Sequence, residues 1–464
     1  MSDVPYVPYV PSPPAGAPPI RARLRLPVTT ERSLEEVIQE RSFLGLLQTH
    51  SRPFFRLCNT LASLHAREWS KKHYFQLISE AEELETFLDD YGARYNRNFA
   101  PLRELVASVR WFAMAGFSIS HLEGRFESYA LGTALGSEEV ARVSVSMLTA
   151  RTFIRSSLER LLGKIRQEAD RLGLEPTSES FPENHLIGGV PRQLLPRNVG
   201  QEDLVDENQR IAEVASKFLA ACSMLDELGI RRVGDPEDRR RRLARICTEE
   251  QARVYEATVH NLQSAYDTYI KNTVVEGRDE RLAHLRGHLS AALHLLEAVT
   301  FLTHFVERHE SDVRIESLEQ NPARLIDRAE VQDVILNHLL YYADRFMQRG
   351  RTVAEELLSA YTNLQELVVD LPDDVKLHAR PAALIVGIVA RYGTPVELEV
   401  QGQKCNAGSI LELLVTVGSH PDARHFVFRG DENPLRDILL LFQSSLGEGG
   451  IDHLPGELQY LRST

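Results

Sequence analysis

The sequence has few of the features that mark secreted, metal-bound or membrane proteins. Its 464 residues include only four cysteines, Cys58, Cys222, Cys247 and Cys405, and no two of them form a CxxC pair. Scattered thiols are typical of a reducing compartment and provide neither a disulfide framework nor a zinc site. We find no apolar run long enough to cross a bilayer, and the N-terminus has no basic start or apolar signal core. The sequence therefore predicts a cytoplasmic protein without membrane insertion.

Positive charge is also scarce. The chain has 53 Lys and Arg against 66 Asp and Glu, which gives a formal net charge of −13. Nucleic acids and anionic membranes bind basic faces, so this balance argues against both as partners. The hydrophobic, aromatic and charged fractions of 43%, 7% and 26% are those of an ordinary globular protein, and the length predicts more than one domain.

Proline dominates the first segment, residues 1–32, with valine and tyrosine between the prolines. Such a composition predicts an extended, disordered tail rather than part of a core. The repeat VPYVPYVP has a second interpretation, as a ligand for an aromatic groove on a partner. The tail interpretation is favoured.

Helical patterns then run through residues 33–360, which we predict to be an all-α region of unknown function. Ser33 and Glu36 form a capping box at its start, and Asp235 followed by Pro236 is typical of a helix beginning. Apolar residues at spacings of three and four indicate a helix that packs in a bundle, namely Leu282, Leu285, Leu289, Ala292, Leu296 and Val299. Heptad-like stripes of this kind also allow self-association.

One interruption divides this region, at residues 173–203. It contains four prolines and the Gly188–Gly189 pair. A long stretch of this composition is either a functional loop or the boundary between two helical subdomains. We favour the boundary.

Three motifs in the helical region have both a functional and a plain interpretation. Glu280, His284 and His288 share a helix face and can bind a metal, but an exposed polar stripe is favoured and no metal site is predicted. The run Arg239–Arg242 suggests an anion site, although the preceding acidic residues favour a solvated helix start. The sequence IGGVPR (187–192) lacks the Lys-Ser/Thr of a nucleotide-binding phosphate loop, so no nucleotide cofactor is predicted.

The pattern changes near the C-terminus. The segments ELVVD, PVELEV, KCNA and RHFVFR predict strands, and apolar stripes at helical spacing lie between and after them. The order β-α-β-β-α-β-α over residues 365–450 predicts an α+β domain with helices on one face of a mostly antiparallel sheet. Residues 451–464 are assigned to a C-terminal tail.

The stretch LHARPA (377–382) places His378 and Arg380 at the start of a helix that includes Pro381. Free backbone amides and the positive end of the helix dipole favour a phosphoryl group there, and the arginine adds a forked cationic donor. Histidine is a suitable nucleophile because much of it is uncharged near neutral pH.

Together with Ser409 in KCNAGSILELLVTVG, thirty-one positions after His378, this stretch resembles HPr, the histidine-containing phosphocarrier of the bacterial phosphotransferase system. The resemblance implies an open-faced β-sandwich, phosphorylation of His378 by an enzyme I and transfer to an acceptor of the enzyme IIA class. Arg380 would stabilise the phosphate, and the protein would be a relay and not an enzyme. In some members of the family a serine at the position of Ser409 is phosphorylated by an HPr serine kinase/phosphorylase, whereas in others it is only a helix cap.

Several features depart from the family pattern or leave alternatives open. Ser409 with Glu412 is also a plain capping box, and the two roles are weighed equally. Lys376 stands where the family usually has glycine, and Asp373 and Asp374 lengthen the preceding loop. A member of the family is typically a small free-standing protein, whereas here the resemblance covers less than a fifth of the chain. A regulatory interaction protein, in which the phosphorylation state controls binding by the helical region, is therefore the alternative to a relay.

Overall fold

The computed structural model describes residues 37–64, 69–129, 131, 135–182, 207–309, 325–371 and 375–463. It divides into two compact units, Met1–Leu47 and Gln48–Thr464. The predictions for the proline-rich tail, the Ser33 capping box, the IGGVPR motif and Asp373–Asp374 lie outside the described residues.

The described part of the chain before residue 362 is helical, which confirms the predicted all-α class for this region. Two π-helical segments, Phe305–His309 and Val334–Leu340, continue neighbouring α-helices. The α-helices are α1 Glu40–His50, α2 Arg52–Ser63, α3 Lys71–Asp90, α4 Ala100–Arg125, α5 Ser137–Leu172, α6 Glu207–Glu227, α7 Pro236–Ile246, α8 Glu249–Tyr269, α9 Glu280–His304, α10 Arg328–Asp333 and α11 Tyr341–Tyr361.

Helices α4 and α9 pack against each other at the centre of the bundle. The predicted apolar stripe of α9 is buried along its whole length, from Leu282 to Val299. In contrast to the sequence-based expectation, both helices are long and apolar enough to cross a membrane. However, 67% and 72% of their apolar windows are buried inside the protein, as in the core helices of a bundle.

The beginning of α7 is as predicted, but its arginines are not all solvated. The side chain of Asp235 accepts a 2.8 Å hydrogen bond from the amide of Asp238. Arg240 and Arg241 form exposed ion pairs with acidic residues of the same helix. Arg239 is instead buried and lies 3.0 Å from the carboxylate of Asp333. The solvated interpretation was therefore wrong for Arg239, because neighbouring α10 supplies an anionic partner that the local sequence does not contain.

The C-terminal part has an antiparallel sheet with strand order β1-β4-β2-β3, which confirms the predicted α+β class and element order. Its helices pack on one face of this sheet. In chain order the elements are β1 Leu364–Asp370, α12 Ala379–Tyr392, β2 Val396–Val400, β3 Gln403–Asn406, α13 Ile410–Ser419, β4 His425–Asp431 and α14 Glu432–Gln443.

Strand alternation determines which side chains form the core of this part. In β2, Val396, Leu398 and Val400 are buried, while the intervening glutamates are half-buried. Phe426 and Phe428 of β4 are fully buried against the helices. The alternation of apolar and polar residues that the sequence predicted therefore determines the inner face of the sheet.

Residues 451–463 complete this core and do not extend from it as a tail. They form two short 3-10 helices, Ile451–His453 and Gly456–Ser463. Leu454, Leu458 and Leu461 are buried in the same hydrophobic cluster as the sheet. These leucines span too few residues for the sequence pattern alone to distinguish a packed segment from a loop.

The helical region and the C-terminal part contact each other within the second unit, at the far end of α12. The side chain of Gln209 in α6 donates a 2.7 Å hydrogen bond to the carbonyl of Tyr392 and accepts a 3.1 Å hydrogen bond from Asn433. Gly393, with φ +66°, ends α12 directly against Glu213. The C-terminal end of α12 is thereby attached to the helical bundle.

Candidate functional site

His378 is the N-cap of α12, the helix that the LHARPA motif begins. Leu377 before it and Pro381 after it are buried, so they fix the chain on both sides and leave His378 and Arg380 exposed. The hydrogen bond from the amide of Ala382 to the carbonyl of His378 closes the first helical turn. The local sequence thus places one histidine and one arginine at an open helix N-terminus.

The loop before His378 is held by Arg424, the residue that precedes β4. The guanidinium of Arg424 donates to the carbonyl of Val375 at 3.3 Å, and the carbonyl of Arg424 accepts a 2.8 Å hydrogen bond from the amide of Leu371. Val375 is buried. These contacts position the entry into α12 relative to the sheet.

The two ring nitrogens of His378 have different environments. Nδ1 accepts a long hydrogen bond, 3.4 Å, from the backbone amide of Arg380. Nε2 lies 2.8 Å from the carboxylate Oε1 of Glu448. A carboxylate only accepts hydrogen bonds, so Nε2 carries the proton and Nδ1 of the neutral ring presents its lone pair to the helix N-terminus. The His378 side chain remains 53% exposed.

The first amides of α12 have no carbonyl acceptor within the helix, which is general for helix N-termini; that of Arg380 donates to Nδ1 instead, and Pro381 has no amide hydrogen. Together with the helix dipole they favour an anion beside Nδ1. The exposed Arg380 side chain begins in the same turn. The arrangement can therefore accept a phosphoryl group on Nδ1 and surround it with donors.

Ser409 lies at the N-terminus of α13, which packs against α12. Its hydroxyl accepts a 3.4 Å hydrogen bond from the amide of Glu412. The reciprocal half of the predicted capping box is shifted, because the Glu412 carboxylate accepts from the amide of Asn406 at 3.0 Å. Next to Ser409, Ile410 and Leu411 are 43% and 71% exposed. The serine is thus a cap beside an exposed apolar surface.

Glu448 is the residue of this site that the sequence analysis missed. It lies in a glycine-rich turn seventy residues after His378, where no periodicity or spacing indicates a partner for the histidine. The packing of α14 and of the segment that follows it against α12 brings the two side chains together.

The metal interpretation of the helical region finds no support in the described residues, where no group of three His, Cys, Asp or Glu side chains is placed to hold an ion. The expected exposed stripe is nevertheless wrong for His288, which is only 1% exposed. Burial lowers the pKa of its imidazole to about 4. Because α9 is covered on nearly all sides, a residue at the position of His288 is buried whatever its polarity.

The comparisons with known proteins agree with this geometry. One protein family, described as the PTS HPr component phosphorylation site, matches residues 366–424. The matched range contains His378, Arg380 and Ser409 and ends where β4 begins. The C-terminal domain is therefore an HPr-family domain of the phosphocarrier type, as the sequence motifs predicted. No curated protein and no solved structure gives a significant match to the chain.

Proposed function

We propose that this protein is a phosphocarrier of the phosphoenolpyruvate-dependent phosphotransferase system type. His378 accepts a phosphoryl group from a phosphorylated enzyme I, and an acceptor of the enzyme IIA class receives it. The observation that carries the proposal is the orientation of His378 within the matched HPr segment, with Nδ1 directed at the N-terminus of α12 and Nε2 at Glu448.

In the forward step, the amide of Arg380 releases Nδ1, and the lone pair of Nδ1 attacks phosphorus while the bond between phosphorus and the donor breaks. The ring keeps its proton on Nε2 and becomes a positively charged phosphoimidazolium. The released amide of Arg380, the positive end of the helix dipole and the guanidinium of Arg380 stabilise the oxygens of the phosphoryl group. In the second step a nucleophile of the acceptor forms a bond to phosphorus while the nitrogen–phosphorus bond breaks, and the electron pair of that bond returns to Nδ1.

The position of the site on the helix suits transfer between proteins. Gln209 of the helical region contacts the C-terminal end of α12, whereas His378 begins the same helix. A helix of 14 residues is roughly 20 Å long, so the two ends are well separated. A donor or acceptor protein can thus approach His378 without displacing the helical bundle.

The test is phosphoryl transfer from radiolabelled phosphoenolpyruvate through a cognate enzyme I. We expect acid-labile label on the wild type and none on His378→Ala. His425→Ala is the matched control, because His425 is an exposed histidine of the same domain that pairs with Asp370. Label that persists in His378→Ala, or that is absent from the wild type with an active enzyme I, would contradict the proposal.

Arg380 is tested separately. Removing its guanidinium in Arg380→Ala leaves the nucleophile in place, so labelling should still occur on His378 but more slowly. We expect the rate to fall by about ten-fold or more, the loss typical of one charged hydrogen bond of 1.5–3 kcal/mol. An unchanged rate would remove Arg380 from the site.

The second candidate function is regulatory, with the phosphorylation state of the domain controlling binding by the helical region. The contact of Gln209 with Tyr392 favours it, since this contact connects the bundle to the helix that carries His378. A relay loses its label quickly to an enzyme IIA-class acceptor, whereas a regulator retains it. Sedimentation of the phosphorylated and unphosphorylated protein would in addition test whether self-association depends on the label.

Ser409 is proposed as a second phosphorylation site, for a partner of the HPr serine kinase/phosphorylase type. A phosphate at an N-cap is favoured by the helix dipole, and the exposed Ile410 and Leu411 leave an apolar surface beside it. Incubation with such a kinase and ATP should give acid-stable label on the wild type and none on Ser409→Ala. If neither protein is labelled, Ser409 is not a phosphorylation site for such a kinase and acts as a helix cap alone.

The organisation that we propose has a tail at 1–32, a helical region at 33–360 interrupted at 173–203, and a phosphocarrier domain that begins at 365. We place the whole protein in the bacterial cytoplasm. Fractionation of cells that express it would test this location, and recovery in the membrane fraction would contradict it.

A further inference from the structure

A pocket lies where the helical bundle meets the HPr domain, beside the linker that joins α11 to β1. Leu219 of α6 and Leu358 of α11 line it from the bundle, and Leu364, Pro395 and Asp431 line it from the HPr domain. We call it the junction pocket. Its volume is about 240 Å³. Because an apolar cavity of ~150 Å³ can hold benzene, the junction pocket has room for one aromatic ring with a short substituent.

Asp431 is a buried carboxylate of this pocket and is only 4% exposed. Oδ1 accepts a 2.8 Å hydrogen bond from the amide of Asn363, whereas Oδ2 has only a long contact, 3.5 Å, with the side-chain amide of Asn433. Within the part of the chain that the structure describes, neither of these side-chain contacts is with a cation. A carboxylate has acceptor sites for more donors than these two, and its burial without a counter-charge is costly. Asp431 therefore has the capacity for a cationic partner.

Helix capping does not account for the position of this carboxylate. Asp431 is the N-cap of α14, but its side chain makes no capping hydrogen bond to that helix. An N-cap side chain normally accepts from an amide of the first turn. The dipole of α14 favours a negative charge there, yet it supplies no hydrogen-bond donor. The carboxylate is thus ionised and remains available to the junction pocket.

Two further polar side chains line the junction pocket without a partner. Glu355 of α11 is exposed and has neither a hydrogen bond nor an ion pair within the described residues. Arg351, one turn before it, lies 3.1 Å from Gln348 and 3.9 Å from Asp226 instead. The hydroxyl of Thr394, a residue only 1% exposed, has no hydrogen-bond partner in the described structure. The pocket thus presents hydrogen-bond acceptors among apolar side chains.

We propose that the junction pocket binds a small organic amine with an apolar body. None of the described residues that line it is basic, so an ammonium group is the charge that complements Asp431 and Glu355. The ammonium donates hydrogen bonds to Oδ2 of Asp431 and to the hydroxyl oxygen of Thr394. The apolar body packs against Leu219 and Leu358. This binding function is separate from the phosphocarrier function and does not depend on it.

An amine in the junction pocket connects the bundle to the HPr domain, because its walls come from both. Ligand pockets are common at such domain boundaries. The linker is part of the same contact, since the amide of Asn363 donates to Asp431 and the amide of Glu432 donates to the carbonyl of Asn363 at 2.9 Å. A ligand that binds only the folded protein stabilises it by mass action. The amides of Asn363 and Glu432 should therefore exchange more slowly when the pocket is filled.

The test is calorimetric titration of the full chain with benzylamine, with benzyl alcohol as the neutral analogue and benzoate as the anionic one. We expect saturable binding of one benzylamine, binding of benzyl alcohol that is weaker by about ten-fold or more, and no binding of benzoate. Hydrogen exchange at saturating benzylamine should show the slower amides of Asn363 and Glu432. Absence of saturable benzylamine binding, or equal binding of benzylamine and benzyl alcohol, would overturn the proposal.

Three variants locate the site. Asp431→Asn keeps an acceptor for the amide of Asn363 but removes the charge, and it should weaken benzylamine binding by about ten-fold or more. Glu355→Gln, at an exposed position, should weaken it by about two- to five-fold. Ser359→Trp, at another exposed position that lines the pocket, should fill the space and abolish binding.

Glu356→Gln is the matched control, because Glu356 is the neighbouring exposed glutamate of α11 and does not line the junction pocket. This variant should keep the wild-type affinity for benzylamine. If Glu355→Gln and Ser359→Trp both bind benzylamine as the wild type does, the amine binds elsewhere and the proposal is wrong. Since both positions are exposed, these two variants decide the matter even if Asp431→Asn does not fold.

Discussion

The side chain of Gln209 donates a 2.7 Å hydrogen bond to the main-chain carbonyl of Tyr392, the last residue of α12. A residue of the helical region thus takes part in ending the helix that His378 begins. The next residue, Gly393, has φ +66° and contacts the Glu213 side chain of α6. The area around the end of α12 is therefore one place where the bundle and the HPr domain contact each other.

Gly393→Ala should weaken that contact. The added Cβ would lie 2.6 Å from Cγ of Glu213 and would occupy a left-handed conformation, so we expect a loss of about 1–3 kcal/mol in the free energy of unfolding. Hydrogen exchange should show the loss at the C-terminal end of α12. Gly418→Ala is the control, since nothing lies within 4 Å of its added Cβ, and it should not destabilise the protein. Equal effects of the two substitutions would contradict the prediction.

Ser409→Ala should destabilise the HPr domain even without any kinase. The variant loses the N-cap hydrogen bond to the amide of Glu412, and caps of this kind contribute about 1 kcal/mol. Ser409→Asp keeps an acceptor at the same place and should restore most of the stability. Urea unfolding measures both, and an alanine variant as stable as the wild type would show that the cap is dispensable.

Buried His288 predicts a dependence of stability on pH. Burial lowers the pKa of its imidazole from 6.5 to about 4, and nearby His284 and Arg349 add to the effect. Between these values the unfolded chain binds a proton that the folded protein does not. The free energy of unfolding should therefore fall as the pH is lowered from 6.5 to 4, by about 3 kcal/mol from this residue, and should level off below.

His288→Leu should remove this part of the pH dependence, whatever its effect on stability at neutral pH. The measurement is urea unfolding at several pH values between 4 and 7. His453→Ala, at an exposed histidine, is the control and should keep the wild-type slope. A wild-type slope in His288→Leu would mean that other groups cause the acid sensitivity.

Leu458→Ala tests whether residues 451–463 belong to the folded domain. Leu458 is fully buried in the core of the HPr domain, so truncation to alanine should cost about 2–5 kcal/mol. Leu411→Ala, at a position that is 71% exposed, should cost far less. Thermal or urea unfolding distinguishes the two, and a negligible loss at Leu458 would return this segment to the status of a tail.

The sequence by itself determined those features that depend on local pattern. Apolar residues at spacings of three and four predicted the helices, and alternation in PVELEV predicted β2 and its inner face, because these periods decide which side chains share a surface. The LHARPA motif and its separation from Ser409 likewise predicted the HPr-type domain and its candidate site. Both residues are indeed helix N-caps, a role encoded by their immediate neighbours.

The tertiary structure alone decided which distant residues meet. Glu448 contacts His378 from a turn seventy positions away, Arg239 pairs with Asp333 of another helix, and His288 is buried because α9 is covered by its neighbours. None of these relationships has a local signature, since burial and pairing depend on how whole elements pack. The sequence therefore pointed to the histidine, and the fold supplied the carboxylate that contacts it.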